Sequence, residues 1–395
     1  MAAESRRLPL RAAPRSVLVV CMRRIGDVLL ASALVRSVRR AWPQARLEVL
    51  VNAGSAGALD GNPDIDRLWV QPEHAGARAT LALAARLWRR YDLAISALYN
   101  DRPHLWAWVA SAHRAGVVPA RGRPGAWWKR RSCEAWCELE LGEVHALEQY
   151  LRLVDALGIE RAAEVVPPRP DTPSAPAASG AAYAVLHPSP LFRYKAWTLG
   201  GWRELARHLA ARGLDVVLTG GPAEPERALA RAIVEGLDAD ARSRVRDLVG
   251  TLPLAALTPL VEGARVFVGP DTSVTHLAAA TGTPTVALFG PSHPVAWGPW
   301  PMRWRPDAGE SGPWHLKAPL QRRGNVWLVQ GEGDCVPCLA EGCDRHPGSH
   351  ARCLDELASA RVIEVVEQAI DEGRRLGRCR DNGGVSDGRT VQGAT

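Results

Sequence analysis

The chain has 395 residues, which is too long for one ordinary hydrophobic core and indicates two domains. Its net charge of +7 favours anionic partners, whether nucleic acid, a membrane surface or phosphorylated sugars and glycolipids, without choosing among them. The scattered cysteines exclude a secreted disulfide framework, and no apolar run has the length of a membrane-spanning helix or the features of a signal peptide. We therefore expect a cytoplasmic protein of enzyme size, with at most peripheral contact with a membrane.

The first predicted strand leads into a candidate functional carboxylate. Residues 1–15 indicate a loose basic arm, and residues 16–21 (SVLVVC) are a continuous apolar run typical of a central parallel strand. A helix follows, and Gly26 at its start permits a tight turn or close approach to a ligand. Asp27 at this junction is either a helix cap or a functional group. Because Arg23 and Arg24 lie in the same turn, we expect them to lower the pKa of Asp27 and keep it ionised.

Alternating strands and helices continue to residue 165. Strands are predicted at 47–51, 68–70 and 93–96, with helices at 80–90 and 144–158, a pattern typical of parallel β-α units. Residues 166–180 are rich in proline, alanine and serine, which predicts a linker. The first domain is therefore assigned to residues 1–165.

A basic segment rich in tryptophan, WWKRR, occupies residues 127–131. The chain has 15 tryptophans against 3 phenylalanines, and indole suits both sugar faces and membrane interfaces. Lys129 and Arg130 beside the two indoles suit an anionic lipid or glycan. A solvated basic loop is the alternative interpretation.

The second domain, assigned to residues 181–377, repeats the alternation. Strands are predicted at 183–187, 215–218 and 245–249, with helices at 202–212, 224–237 and 254–261. Two sets of β-α units joined by a linker predict an α/β fold with two Rossmann-like lobes facing a central cleft.

The most informative stretch is residues 265–294, RVFVGPDTSVTHLAAATGTPTVALFGPSHP. It predicts a strand, a helix over 272–281 and a second strand over 285–289. Asp271 and Thr272 lie where the helix begins, and its free amides suit an anion such as a diphosphate. Asp271 is alternatively a simple cap. His276 either borders the same mouth or is a hydrogen-bonded core histidine.

Four late cysteines have nearly the spacing of zinc ligands. Cys335, Cys338, Cys343 and Cys353 form C-x2-C-x4-C-x9-C, with His346 and His350 among them. A structural metal, reduced thiols and disulfides all remain open. A last helix is predicted over 354–376, and the polar, glycine-rich residues 378–395 are predicted to be disordered.

Four blocks carry a resemblance to one family. They are IGDVLLASALVRSVRRAWP (25–43), KAWTLGGWRELARHLAARG (195–213), VVLTGGPAEPERALARAI (216–233) and VGPDTSVTHLAAATGTPTVALFGPSHP (268–294). In this order they resemble the ADP-heptose:lipopolysaccharide heptosyltransferases, inverting glycosyltransferases of GT-B fold. The chain departs from the family pattern at Ser32-Ala33, where Thr-Pro or Leu-Pro is common, and at 188–191, which lacks a glycine after the proline.

The resemblance implies roles for individual residues. Asp27 matches the general base that removes a proton from the acceptor hydroxyl, and Lys195 matches the lysine that neutralises the leaving diphosphate. The match to the D-T-x-x-x-H element and the phosphate loop assigns donor binding to Asp271, Thr272, Ser273, His276 and Ser189. Glu224 or Glu226 matches an acidic residue near the donor ribose, with Glu224 the first choice. We assign Arg23, Lys129 and Arg130 to acceptor binding.

The same resemblance implies partners and location. It implies an ADP-heptose donor and a lipid A–core glycolipid acceptor, at the cytoplasmic face of the inner membrane. Transfer then needs no metal cofactor, and zinc at the four cysteines is at most structural. In the family the final helix usually crosses back to the first lobe.

The same residues allow other functions. The same chemistry on another glycan or a protein side chain is the first alternative, because acceptor loops are the least recognisable part of such enzymes. A lobe pair that binds nucleotide sugar without turnover is the second. We expect no nucleic-acid partner, since only the net charge and residues 127–131 favour one.

Overall fold

The structure is a computed structural model that describes residues 4–7, 12–139, 142–171, 181–305 and 312–375. The elements of the first half are β1 (Ser5–Arg6), β2 (Ser16–Val20), α1 (Ile25–Ala41), β3 (Arg46–Asn52), β4 (Arg67–Gln71), α2 (Ala77–Leu87), β5 (Leu93–Ser96), α3 (Asp101–Ala110), β6 (Arg114–Val118), α4 (Ala126–Ser132), β7 (Ala135–Glu138) and α5 (Ala146–Ala156). A 3-10 helix, Ala53–Leu59, follows β3.

The second half repeats this arrangement. Its elements are β8 (Tyr183–Leu186), α6 (Leu199–Ala211), β9 (Asp215–Leu218), α7 (Glu224–Glu235), α8 (Ala239–Ser243), β10 (Val245–Asp247), α9 (Leu254–Glu262), β11 (Val266–Pro270), α10 (Ser273–Thr281), β12 (Thr285–Phe289), α11 (Pro294–Trp297), β13 (Leu320–Arg323), β14 (Val326–Gln330), α12 (Arg352–Asp355) and α13 (Ser359–Arg375). None of the helices in these ranges is long and apolar enough to cross a membrane.

Each half builds one seven-stranded sheet, and the two sheets have matching topology. The first has the order β1-β7-β6-β5-β2-β3-β4 and the second β10-β9-β8-β11-β12-β14-β13. Within each sheet six strands are parallel, and one edge strand, β1 or β13, runs antiparallel to its neighbour. The parallel strands follow the doubly wound order in which the chain reverses direction beside the first strand. The expected α/β fold with two Rossmann-like lobes is confirmed.

This order determines where a ligand can bind. In open α/β sheets the crevice lies outside the carboxyl ends of the strands, at the point where the strand order reverses. In the first sheet this point lies between β2 and β5, and in the second it lies between β8 and β11. The segments that follow β2, β8 and β11 carry Asp27, Lys195 and Asp271.

The two lobes share a hydrophobic core. Helix α1 packs against α10 of the second lobe, and the 3-10 helix packs against α9. One buried cluster joins side chains such as Leu29 and Leu34 of α1 to Leu260 of α9 and Leu277 of α10. Helices α2 and α3 cover the opposite face of the first sheet, through a separate core that includes Leu87 and Trp106.

Several predicted elements differ from the observed ones. The helix expected at 80–90 lies at Ala77–Leu87, and strands β6, β7, β13 and β14 were not predicted. Residues 127–131 lie in helix α4 and not in a loop. Within the arm of residues 1–15, Ser5–Arg6 pairs with β7 as a strand.

The final helix also differs from expectation. The segment 354–376 is broken into α12 and α13, and α13 packs on α6 and on strands of the second sheet. Its apolar face, with Val362, Val366 and Ala369, completes the second lobe's core, so α13 does not cross to the first lobe. The predicted tail, 378–395, and most of the predicted linker, 172–180, lie outside the described residues.

Candidate active site

Asp27 lies in the first turn of α1, directly after the carboxyl end of β2. Its side chain is buried, with Oδ2 3.5 Å from Nε of Arg23. Asp27 is an acidic residue in the first turn of this helix, which is part of what the helix-cap alternative describes. The N-cap position itself belongs to Arg24.

The pKa of Asp27 differs from the sequence-based expectation. Burial raises the pKa above the ordinary value of 3.8, and the charges of Arg23 and Arg24 only partly oppose this shift. The expectation of a lowered pKa is wrong because it counted the two guanidinium groups and omitted the desolvation that follows from packing against the second lobe. A carboxylate with a raised pKa is a stronger base, which suits proton abstraction.

In the second lobe, Lys195 and Asp271 form an ion pair. Lys195 Nζ donates to Asp271 Oδ2 at 2.5 Å, and Asp271 is buried. Lys195 ends a short 3-10 helix, Arg193–Lys195, that follows β8, whereas Asp271 follows β11. Both therefore lie where the order of the second sheet reverses. Asp271 is not the cap of α10, so the cap alternative for this residue is wrong.

Thr272 is the residue that caps α10. Its side chain accepts a hydrogen bond from the amide of Thr275, which leaves the amides of the first turn, beginning at Ser273, directed out of the helix. His276 is 6% exposed, and its Nδ1 has no hydrogen-bond partner among the described residues. It is therefore not the hydrogen-bonded core histidine of the alternative interpretation. Burial lowers the pKa of His276 to about 4, so its ring is neutral near pH 7.

The beginnings of α1 and α10 meet across the cleft. A Cβ placed on Gly26 would lie 3.9 Å from Cα and Cβ of Ser273 and 4.0 Å from Cδ2 of His276. Asp27 follows Gly26 in the chain, and His276 lies within electrostatic range of Asp271 and Lys195. The first turn of α1, which carries Asp27, therefore approaches the first turn of α10, which follows Asp271.

Ser189 lies in the loop after β8, together with Lys195. Its hydroxyl oxygen is buried and makes no hydrogen bond within the described residues. A buried polar atom without a partner is costly unless a ligand or water satisfies it. Ser189 and His276 therefore both present unsatisfied polar atoms around the Lys195–Asp271 pair.

The two candidate glutamates of α7 point to different places. Glu224 is exposed and pairs with Arg231 at 2.5 Å. Glu226 turns back onto the loop after β9, where its Oε2 accepts from the amide of Gly221 at 2.6 Å. Glu226 is thus the glutamate held at the carboxyl edge of the sheet, although the sequence favoured Glu224.

A pocket adjoins Asp27, lined mostly by the first lobe and partly by α11 of the second. It has about 520 Å³ of empty space, part of it open solvent, and Arg23 lines it with Asp27. Tyr99, Tyr150 and Trp297 also line it, and none of the three was predicted. Tyr150 donates to the backbone carbonyl of Asp27 at 3.2 Å. Tyr99 could have been found from the sequence. It follows β5, and that strand borders the point where the strand order of the first sheet reverses.

An aromatic pair also reaches across the cleft. Phe192 and Tyr194 stack with centroids 5.4 Å apart, and Lys195 Nζ lies 5.9 Å from the Phe192 ring. The guanidinium of Arg24, from the first lobe, lies 4.9 Å from the same ring. Phe192 therefore contacts one cation from each lobe.

Lys129 and Arg130 are occupied in ion pairs. Lys129 is buried and lies 2.7 Å from Oδ1 of Asp101, and Arg130 pairs with Glu4 and Glu138. Neither side chain is a solvated loop residue, which corrects that interpretation. The structure does not bring either into the pocket beside Asp27.

The four late cysteines lie in the segment between β14 and α13. Cys335, Cys338 and Cys343 are exposed and Cys353 is buried, all without disulfides. Within the described ranges, which include all four, no three His, Cys, Asp or Glu side chains are grouped closely enough to hold a metal ion.

The chain is similar in sequence and in fold to known proteins. Residues 108–305 match glycosyltransferase family 9 (heptosyltransferase). Lipopolysaccharide heptosyltransferase 3 of Escherichia coli is 27% identical over 71% of this chain and 84% of its own length. The structure of E. coli ADP-heptose lps heptosyltransferase II superposes with a TM-score of 0.68 at 20% identity, covering 91% of this chain and 99% of its own. E. coli heptosyltransferase WaaC with ADP-2-deoxy-2-fluoro heptose gives 0.64 at 19% identity, covering 89% and 99%.

Two facing Rossmann-like lobes define the GT-B fold, which the chain shares with E. coli heptosyltransferase II. The chain belongs to glycosyltransferase family 9, the heptosyltransferase family. The match to the family begins at residue 108 and does not include Asp27. The role of Asp27 as general base therefore rests on its position in the structure and on the resemblance of residues 25–43.

Proposed function

We propose that this protein transfers a heptose from ADP-heptose to a lipopolysaccharide core acceptor with inversion at the anomeric carbon. The observation that supports the proposal is the close approach of the starts of α1 and α10, near the buried Asp27 on the first lobe and the Lys195–Asp271 pair on the second. The first lobe, residues 1–165, binds the acceptor, and the second, residues 181–377, binds the donor.

In the proposed reaction Asp27 is the general base. Its carboxylate takes the proton of the acceptor hydroxyl while the hydroxyl oxygen forms a bond to the anomeric carbon. The bond from that carbon to the diphosphate breaks, and its electron pair leaves with ADP. Inversion follows because attack and departure take place on opposite faces of the sugar.

Lys195 and the start of α10 stabilise the departing ADP. The diphosphate gains negative charge as the bond breaks, and a preorganised ammonium and helix-end amides act on that charge without rearrangement. Asp271 holds Lys195 in place through the 2.5 Å contact. The unsatisfied atoms of Ser189 and His276 support a polar donor at this position.

ADP release tests the proposal. The protein, incubated with ADP-heptose and truncated core glycolipid, should release ADP, and Asp27→Ala should abolish release while donor binding persists. Glu224→Gln is a matched control on an exposed carboxylate. Full activity of Asp27→Ala would remove Asp27 as the base, whereas no ADP release by the native protein would reject the reaction itself.

We also propose that the transfer needs no metal, because Lys195 and the α10 amides supply the positive charge. Activity should be unchanged after treatment with a chelator. A loss restored by one divalent cation would contradict this.

The lipid A–core acceptor implies that the protein works at the cytoplasmic face of the inner membrane.

A further inference from the structure

The outer face of the first lobe carries an unusual set of exposed apolar side chains. Five of them lie on or directly beside α2, α3 and α4, and they form what is called here the tryptophan face: Leu81, Trp88, Leu105, Trp108 and Trp127. Their exposed fractions run from 44% at Trp108 to 76% at Trp127. Exposed apolar groups at this density mark an interaction surface more often than isolated ones do.

Contacts between the three helices make the tryptophan face continuous. Helix α2 packs on α3, and Trp88 meets Trp108 edge-on with ring centroids 6.1 Å apart. Helix α4 joins α3 through Trp128, whose ring lies 5.9 Å from His104. The buried sides of α2 and α3 pack on the sheet face remote from α1, so this surface points away from the second lobe.

Arginines surround these side chains, and acidic partners are scarce. Residues 74–91 contain four arginines and no acidic residue. Arg89 lies within 6 Å of both the Trp88 and Trp108 rings, at 5.6 and 5.7 Å. Asp101, the acidic residue of α3, is already paired with Lys129. Exposed indoles and arginines together suit the interface of an anionic bilayer, where the rings enter the headgroup region and the guanidinium groups meet phosphates.

A second copy of this chain fits the face less well. A two-fold dimer through this surface would set the arginines of one copy against those of the other, and like charges in a desolvated contact are repelled. An anionic bilayer instead offers opposite charge over the whole area.

The position of the tryptophan face relative to the pocket favours the same occupant. Helix α3 begins at Asp101, two residues after Tyr99, which lines the pocket beside Asp27. Helix α3 therefore leads from the wall of that pocket to the tryptophan face. A glycolipid could keep its acyl chains in the bilayer while its sugars reach the base.

We propose that the tryptophan face docks this protein on an anionic phospholipid bilayer. The biological role of this docking rests on the proposed function, in which the acceptor is a glycolipid. Binding to the bilayer itself is measured separately from catalysis. The residues of the face do not take part in the chemistry.

Vesicle cosedimentation tests the docking. The probe is a vesicle of phosphatidylethanolamine with phosphatidylglycerol, compared with phosphatidylcholine alone. The native protein should bind the anionic vesicle, with affinity that falls as salt rises. Arg78→Gln with Arg86→Gln should weaken binding about fivefold for each arginine. Leu105→Ser with Trp127→Ser should weaken it at least about tenfold.

A matched control lies on the second lobe. Leu316→Ser with Arg375→Gln changes one exposed apolar side chain and one exposed arginine there, and it should bind as the native protein does. Thermal melting checks that the exposed substitutions leave the fold intact. Equal binding by all variants, equal binding to both vesicles, or self-association through the tryptophan face in place of vesicle binding would each overturn the proposal.

Two acceptors separate this proposal from the proposed function. With deacylated core oligosaccharide in solution, the arginine variant should release ADP at the native rate, and with vesicle-embedded glycolipid it should be slower. Vesicle binding without ADP release from either acceptor would reject the transferase reaction and leave the docking surface. If the native protein and the arginine variant released ADP at equal rates with each acceptor, the docking surface would be rejected and the transferase reaction would stand.

Discussion

At the scale of single residues, Asp27 combines burial with a role that requires charge. Burial raises its pKa, so the acid limb of the rate profile should lie at higher pH than that of an ordinary aspartate. Asp27→Asn should reduce kcat by about 10²- to 10⁴-fold, the usual contribution of a general base, with little change in ADP-heptose affinity. ADP release as a function of pH and calorimetric titration of the donor measure the two effects. An acid limb at the position of an exposed aspartate would contradict the assignment.

The same pKa shift predicts a gain in stability for Asp27→Asn. Ionisation of Asp27 is less favourable in the folded than in the unfolded chain, since its pKa is raised above 3.8 on folding. This cost is present at pH values above the raised pKa and absent below the ordinary one. The Asp27→Asn substitution should therefore raise the melting temperature at pH 7, with the gain vanishing toward about pH 3. Asp64→Asn, at a partly exposed ion pair with Arg36, is a contrast that should not gain stability.

Two glutamates of α7 give a further prediction about donor binding. Glu226→Gln should weaken donor affinity, because Glu226 holds the loop after β9 through the Gly221 amide. Glutamine keeps an oxygen that can accept from the Gly221 amide but loses the charge, and the difference between a charged and a neutral acceptor is about 1 kcal/mol, or about fivefold. Glu224→Gln should have little effect, since Glu224 is exposed and its partner Arg231 is exposed too. The Michaelis constant for ADP-heptose distinguishes the two, and the reverse order would restore the sequence-based choice.

The sequence predicted the kinds of residue at the site better than their environments. Asp271 and His276 could be assigned to one mouth from spacing and resemblance, and the structure brings them together with Lys195. The raised pKa of Asp27 could not be predicted, because it depends on burial among residues distant in the chain, such as Tyr150 and Trp297. The burial and pairing of Lys129 could not be predicted for the same reason, since its partner Asp101 lies on another helix.

At the scale of elements, α1 and α10 form the site by beginning at the same gap. Gly26→Ala tests this contact, because the added methyl would lie in ordinary van der Waals contact, at 3.9 to 4.0 Å from Ser273 and His276. The substitution should leave stability unchanged or raise it by up to about 1 kcal/mol, since alanine favours the helix. Activity should fall, because the methyl occupies space where the donor sugar meets the acceptor. Gly200→Ala, at an exposed site in α6 with open space around it, is the control for the helix effect.

Sequence patterns located elements where apolar period and turn chemistry agreed. Strands β5, β9 and β12 were predicted with their observed bounds, because each is a short apolar run with clear stops on both sides. Strands β6 and β7 were missed since Gly116 and Glu138 interrupt the apolar pattern, and these strands are recognised by pairing with β5 and with each other. The break before α13 was missed because Leu357 is apolar and buried, like the helix residues around it.

At the scale of the whole molecule, the lobes share one buried core and are not merely tethered by residues 166–180. Beside the cluster around α1 and α10, His145 of the first lobe contacts the carbonyl of Gly298 at 2.7 Å. Trp300 of the second lobe donates to the carbonyl of Ala163 at 3.2 Å. The start of the predicted linker is fixed as well, because the amide of Val166 donates to Ser32 at 2.8 Å.

A shared core predicts a single unfolding transition for both lobes. If the lobes were independent, calorimetry would resolve two transitions, and ADP would shift only that of the second lobe. With α1 buried against α10, loss of either lobe exposes the apolar surface of the other, so we expect one transition that ADP shifts as a whole. Leu34→Ala, at a fully buried position of α1, should destabilise the whole chain by about 2 to 5 kcal/mol. Hydrogen exchange should then increase in β3 and in β12 alike, and faster exchange confined to the first lobe would show that the two cores are separate.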